Sequence, residues 1–224
     1  MCEQNFSKQQ PINPQIRVYV ANLGLYNEGK LMGDWLNLPT SNSEIDAFLK
    51  TKVGLNEQYE ELAVHDCESG FNLCEYENLY DLNVLAVKLE QMSDSEKTLV
   101  AAYCDANGLK DPSSILNTCE QFNDLLYVEL DMDSWGSKEE KLGYALLEGV
   151  NSDIKAVLEQ CKLGDGVSAY TYFDFEAYGR DVALNYGYFA SDLIFIFSTS
   201  DIDPKRYTIQ KLKETLNDPR LEET

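Results

Sequence analysis

Residues 16–38 read IRVYVANLGLYNEGKLMGDWLNL, and the order of apolar and polar side chains in them decides the fold class. Ile16, Val18 and Val20 alternate with Arg17, Tyr19 and Ala21, the two-residue period of a half-buried strand over 16–23. Asn27-Glu28-Gly29 supplies turn residues, and 30–38 reads as a second strand, so the stretch predicts a β-hairpin. Ser43, with Asp46 in a box-like position after it, is expected to cap a short helix running to about Lys52. Leu62 to Val64 begins a third strand. Upstream, the polar stretch 1–15 carries Pro11 and Pro14 and reads as a flexible arm.

Downstream the period changes. Leu79, Leu82, Leu85, Ala86 and Leu89 recur at helical spacing, and Ser93 with Glu96 forms a capping box for a second helix that stops near Gly108. Asp111-Pro112 opens a third, short helix with Ile115, Leu116 and Phe122. Residues 125–130 (LLYVEL) read as a strand. Ser137 with Glu140 caps a helix through Leu142, Ala145, Leu146 and Val150, and 152–161 forms another, ended by Gly164. The run Tyr170, Tyr172, Phe173, Phe175, Tyr178 has no clear period, whereas 192–197 (DLIFIF) is a buried strand. Tyr207, Ile209, Leu212 and Leu216 mark an amphipathic helix in the tail.

The expected fold is therefore α+β, a chain of three small domains with an extra C-terminal helical tail. The boundaries are a flexible arm over 1–15, an α+β domain over 16–74, a helical domain over 75–120, a second α+β domain over 121–200, and a mixed-charge tail over 201–224.

Charge carries the functional argument. The 224 residues hold 39 Asp and Glu against 18 Lys and Arg, a net −21. Such a surface repels nucleic acid and anionic membranes, so direct binding to either is not expected; it attracts strongly basic surfaces. Acidity alone is most often a solubility device, so its distribution matters more. Residues 15–75 have 10 acids and 4 bases, 76–120 have 8 and 3, 121–200 have 14 and 5, and the tail only 6 and 5. The charge is spread over the body rather than blocked into an interaction tail. Duplex DNA carries one charge per about 1.7 Å of axis, so −21 would match roughly 36 Å of duplex. A sphere of this length, with a radius of gyration near ~17 Å, would misplace much of that pattern. A row of small domains would not.

Residues that carry chemistry are sparse. The single histidine, His65, lies near Cys67 and Cys74, but no CxxC or HxxxH pair supplies adjacent zinc ligands. There is no Gly-rich phosphate loop and no GxSxG elbow. The six cysteines show no paired spacing, no signal segment is read at the N-terminus, and no apolar run suits a membrane span. A reduced, cytoplasmic protein with no metal, no cofactor and no catalytic residue is the expectation. Trp35 and Trp135 read as core anchors, and Arg180 as an internal partner for a carboxylate. One enzymatic alternative stays open, with His65 paired to a cysteine or carboxylate.

The stretch 16–38, with EELAVHDCE at 60–68 and FDFEAYGRDVAL at 173–184, closely resembles the ArdA-type antirestriction proteins, in order over roughly 16–197. The arm and the tail after Ser200 depart from that pattern. The resemblance implies proteins carried on mobile genetic elements that imitate B-form DNA as curved homodimers, each protomer an elongated chain of three small domains. They occupy the DNA groove of type I restriction-modification enzymes, on the methyltransferase core of specificity and modification subunits. On that footing the phosphate stand-ins are Glu28, Asp34, Glu57, Glu60 and Glu61, then Asp124, Asp131, Asp133, Glu139, Glu140, Glu148, Asp153 and Glu159. The dimer contact is placed on Tyr170, Phe173, Phe175, Tyr178, Phe195 and Phe197. A decoy for another basic protein, such as a nucleoid protein, is the alternative.

Overall fold

A computed structural model describes residues 16–73 and 78–222. The expected arm over 1–15, together with Cys2 and Cys74, lies outside the described residues. The chain folds as two compact units, the first made of residues up to Phe122 together with the segment from Asp203 onward, the second of 123–202.

In the first unit, β1 (Ile16–Asn22) is the centre of a three-stranded antiparallel sheet, between β2 (Gly33–Leu38) and β3 (Leu62–Glu68). Ile16 pairs with Leu38 and Ala21 with Gly33, and Ile16, Val18 and Val20 are buried, as the alternation predicts. The hairpin connection differs from a plain turn. Asn22 ends the strand and accepts from the Leu25 N–H, starting a one-turn helix α1 (Leu23–Asn27). The second strand therefore begins at Gly33, three residues later than expected, with Leu31 and Met32 exposed.

Helix α2 (Asn42–Phe48) starts earlier than the predicted Ser43 cap. Ser41 is the N-cap, and Glu44 returns the bond to its backbone, a full capping box. The sequence SNSE offers two serines. Only Ser41 stands three residues before a carboxylate long enough to reach back. A π-helical turn, Leu49–Val53, continues α2 to Gly54, whose φ of 73° ends it in the left-handed region.

Helices α3 (Leu79–Glu90), α4 (Asp94–Ala106) and α5 (Pro112–Glu120) begin at the caps Asn78, Ser93 and Asp111. Their apolar faces do not close into a separate core. Leu82, Leu85, Leu89, Ile115 and Leu116 join Ile16, Leu38, Ile45 and Val64 in one continuous cluster. The two segments expected as separate domains thus share a compact unit. The tail joins them: α9 (Ile209–Leu216) buries Leu212 in the same cluster, while Tyr207, expected on its apolar face, is 39% exposed.

The second unit has strands β4 (Tyr127–Glu129), β5 (Gly187–Phe189) and β6 (Ile194–Phe197), antiparallel in the order β4-β6-β5. Helix α6 (Lys138–Ala145) continues through a π-helical turn, Leu146–Val150. Helices α7 (Ser152–Gln160) and α8 (Phe175–Tyr186) follow. Phe195, wholly inside, centres a core with Val128, Leu130, Leu142, Leu146 and Val182. Burying such a side chain contributes about 1.5–3 kcal/mol. Trp135, read as a core anchor, is instead 94% exposed in the loop before α6. Trp35 is half-buried, with the Arg17 guanidinium 4.5 Å from its ring centre.

Candidate functional site

The thirteen candidate carboxylates fall on turns, on the edge strand β2 and on helices, where Glu148 lies in the π-helical turn after α6 and Glu159 in the last turn of α7. Ten are exposed, and Asp34, Glu139 and Glu140 are half-buried. Their local placement follows from backbone chemistry. Glu139 and Glu140 occupy the first turn of α6 and Asp153 that of α7, where the helix N-terminus favours negative charge. Glu57, Glu60 and Glu61 occupy the connection from Gly54 into β3, where Asn56 folds the chain back by accepting from the Gln58 N–H. Asp131 performs the same turn-forming role after β4, accepting from Asp133 N–H at 2.9 Å.

Ion pairing divides these carboxylates into two sets. Glu28 accepts from Lys30 at 3.0 Å and from the Tyr59 hydroxyl at 2.9 Å. Those two bonds, Lys30 first, lower its pKa. Asp34 stands 3.5 Å from Lys52. Glu148 accepts from Lys155 and from Tyr170, which lowers its pKa, and Glu159 lies 3.9 Å from the same lysine. Burial, with the bond to Glu148, pushes the Tyr170 hydroxyl up to about 12. These four therefore have part of their charge answered within the chain. Glu57, Glu60, Glu61, Asp124, Asp131, Asp133, Glu139, Glu140 and Asp153 make no ion pair among the described residues. Carboxylates of this second kind are available for charge-assisted bonds from Lys or Arg of another molecule.

The candidates chosen from sequence left out the helical segment. Asp94, Asp105 and Asp111 are exposed there, Asp94 paired with Lys97 at 3.3 Å. The signal was present, since Asp94 and Asp105 sit on the polar side of the α4 pattern, opposite Leu99, Val100 and Cys104. Arg180 has its carboxylate partner, Glu176 at 3.0 Å. The pair lies on the exposed face of α8 rather than inside the unit as expected.

The aromatic residues proposed as a dimer contact are largely used within the unit. Phe175 is buried, its ring stacked on Tyr144 at 3.7 Å and met edge-on by Tyr170 and Phe173. Phe195 packs between Phe189 and Phe197. The apolar side chains left in solvent on this unit are others, including Tyr172 at 70%, Leu184 at 78% and Tyr186 at 59%.

His65 sits within β3, half-buried, with the Tyr26 ring edge-on at 4.9 Å. It borders an open concavity of about 300 Å³ with Cys67 and Phe71. Burial raises the Cys67 thiol, the opposite of what a thiolate nucleophile needs. Among the described residues no group of three His, Cys, Asp or Glu side chains is gathered closely enough to hold a metal ion. No helix among them is long and apolar enough to cross a membrane.

A family model described as antirestriction protein (ArdA) matches residues 18–194. No curated protein matches the chain.

Proposed function

The chain belongs to the ArdA family of antirestriction proteins, and from that premise we propose that it inhibits type I restriction-modification enzymes as an acidic decoy of duplex DNA. Family membership implies antirestriction, an inhibitor that meets restriction enzymes and not itself an enzyme. The decoy reading adds the means. Carboxylates stand where phosphates would, on the DNA groove of the methyltransferase core formed by the specificity and modification subunits. The enzyme's own electrostatic steering toward DNA then accelerates capture of the inhibitor. Such proteins act in the cytoplasm, sparing an incoming mobile element from the host's restriction.

The observation that best supports this is the set of solvent-facing carboxylates without internal cations, present on both units of a chain with net charge −21. Each one alone contributes little, because an exposed ion pair is worth about 0–1 kcal/mol. A homodimer formed through the second unit belongs to the same reading. Tyr172, Leu184 and Tyr186 offer the exposed apolar surface for it, since Phe175 and Phe195 are committed to the core.

Graded neutralisation tests the surface. Glu57→Gln, Glu60→Gln and Glu61→Gln singly are expected to change the half-inhibitory concentration by less than about threefold. The triple variant should weaken inhibition by about tenfold or more, reflecting pairs of up to about 1 kcal/mol each. Full potency in the triple variant, and in an equivalent Asp124, Asp131 and Asp133 variant, would remove these carboxylates from the account.

A further inference from the structure

The segment from Asp203 onward lies outside the family match and departs from the rest of the chain in charge, yet it packs into the first unit. Its attachment is built from buried amide side chains. Asn117 is wholly buried on α5, and its side chain closes a two-point contact on one residue of the tail. Its Oδ1 accepts from Tyr207 N–H at 2.8 Å, and its Nδ2 donates to Tyr207 carbonyl at 2.9 Å. One turn on, the buried Gln121 repeats the arrangement. Nε2 donates to the Asp203 carbonyl at 2.8 Å, and Oε1 accepts from Asp203 N–H at 3.2 Å and from Arg206 at 3.3 Å.

At the far end of the tail, Asn42 at the start of α2 donates to the Leu221 carbonyl at 3.0 Å. Arg220 reaches Glu90 at the end of α3 and Asp218, each at 2.8 Å. Leu212 and Leu221 fill the core between these points. The tail thus touches the sheet-bearing segment through Asn42 and the helical segment through Glu90, Asn117 and Gln121. The tail both covers Asn117 on α5 and Gln121 just after it and supplies the backbone partners that such buried amides require.

We propose that residues 203–222 are a locking strap, which fastens the sheet-bearing segment and the helical segment of the first unit into one body. The charge of the strap follows from the same role. Residues 15–120 carry 18 acids and 7 bases, so an equally acidic strap would be repelled from them; its five bases against four acids let it dock. The lock stands apart from the decoy reading, and so does its test.

Hydrogen–deuterium exchange on the full chain reads the strap directly. In the unaltered protein the amides of Asp203, Tyr207 and α9 should be protected. In an Asn117→Ala/Gln121→Ala variant they should exchange about tenfold faster or more, with protection falling in β1 and α3 as well and α8 unchanged as the internal control. Leu212→Ala, which alters only the strap, should loosen the same amides and guards against misfolding of the double variant. Unprotected strap amides in the unaltered chain would overturn the lock. Unchanged protection in both variants would do so too, as would a loosened strap that leaves β1 and α3 at full protection.

Discussion

Glu44 shows how far a single carboxylate can be bent to structural work in this acidic chain. Its oxygens accept from the Thr40 hydroxyl, the Ser41 N–H and the Ser41 hydroxyl, and together these hold it down at about 2 from an ordinary 4.5. A folded-state pKa below the unfolded one means a stability contribution that is complete above pH 4.5 and lost as pH falls through about 2. A carboxyl-resolved NMR titration should place the Glu44 midpoint near 2, and a midpoint at the usual glutamate position would contradict the capping geometry. The contrast with Glu57 or Asp153 is instructive. Those carboxylates have no ion pair among the described residues, and their charge faces outward. The proposed decoy function and the capping of α2 thus draw on different members of one abundant residue type, which no count of acids could separate.

At the scale of elements, the AYGRD pattern finds its physical reason in packing. Helices α6 and α8 cross with their backbones in contact: a Cβ on Gly179 would stand 1.8 Å from the Glu139 carbonyl oxygen, and one on Gly143 would stand 2.1 Å from that of Phe175. Neither obstacle is a flexible side chain, so the helices themselves would have to part. Gly179→Ala is therefore expected to destabilise the chain by about 1–3 kcal/mol or more, read as a lower urea midpoint and faster exchange across α6 and α8. An unchanged midpoint would mean that the helices are free to separate. Much of the element layout was legible in advance. Ser93 with Glu96, Asp111-Pro112 and Ser137 with Glu140 each mark a helix start, because a cap is a local bargain between neighbours in sequence. What stayed hidden rests on distant partners. Asn117 meets Tyr207 and Asn42 meets Leu221 across 90 and 179 residues, so neither the strap nor the shared core of the first unit has a local signature. Trp135 was misplaced for a related reason: residue type predicts a buried tryptophan, and only the loop's position in space leaves it in solvent.

At the scale of the molecule, the net charge of −21 and membership of the ArdA family both support the proposed decoy mechanism, in which the target is basic and built for DNA. The excess of acids and its spread over both units are legible in the sequence. Asp94, Asp105 and Asp111 do not stand out there, because helical periodicity marks the apolar face and leaves the polar one undifferentiated. The apolar character that suggests Phe175 and Phe195 as dimer contacts serves an internal core equally well. The measurement that bears most directly on the decoy mechanism is competition in solution. A purified type I methyltransferase core is bound to labelled target DNA, and the protein is titrated in at two ionic strengths. The account predicts displacement near one inhibitor dimer per enzyme, with the steep salt dependence that phosphate-like contacts confer between about 50 and 200 mM. A folded protein that displaces no DNA at any concentration would contradict it.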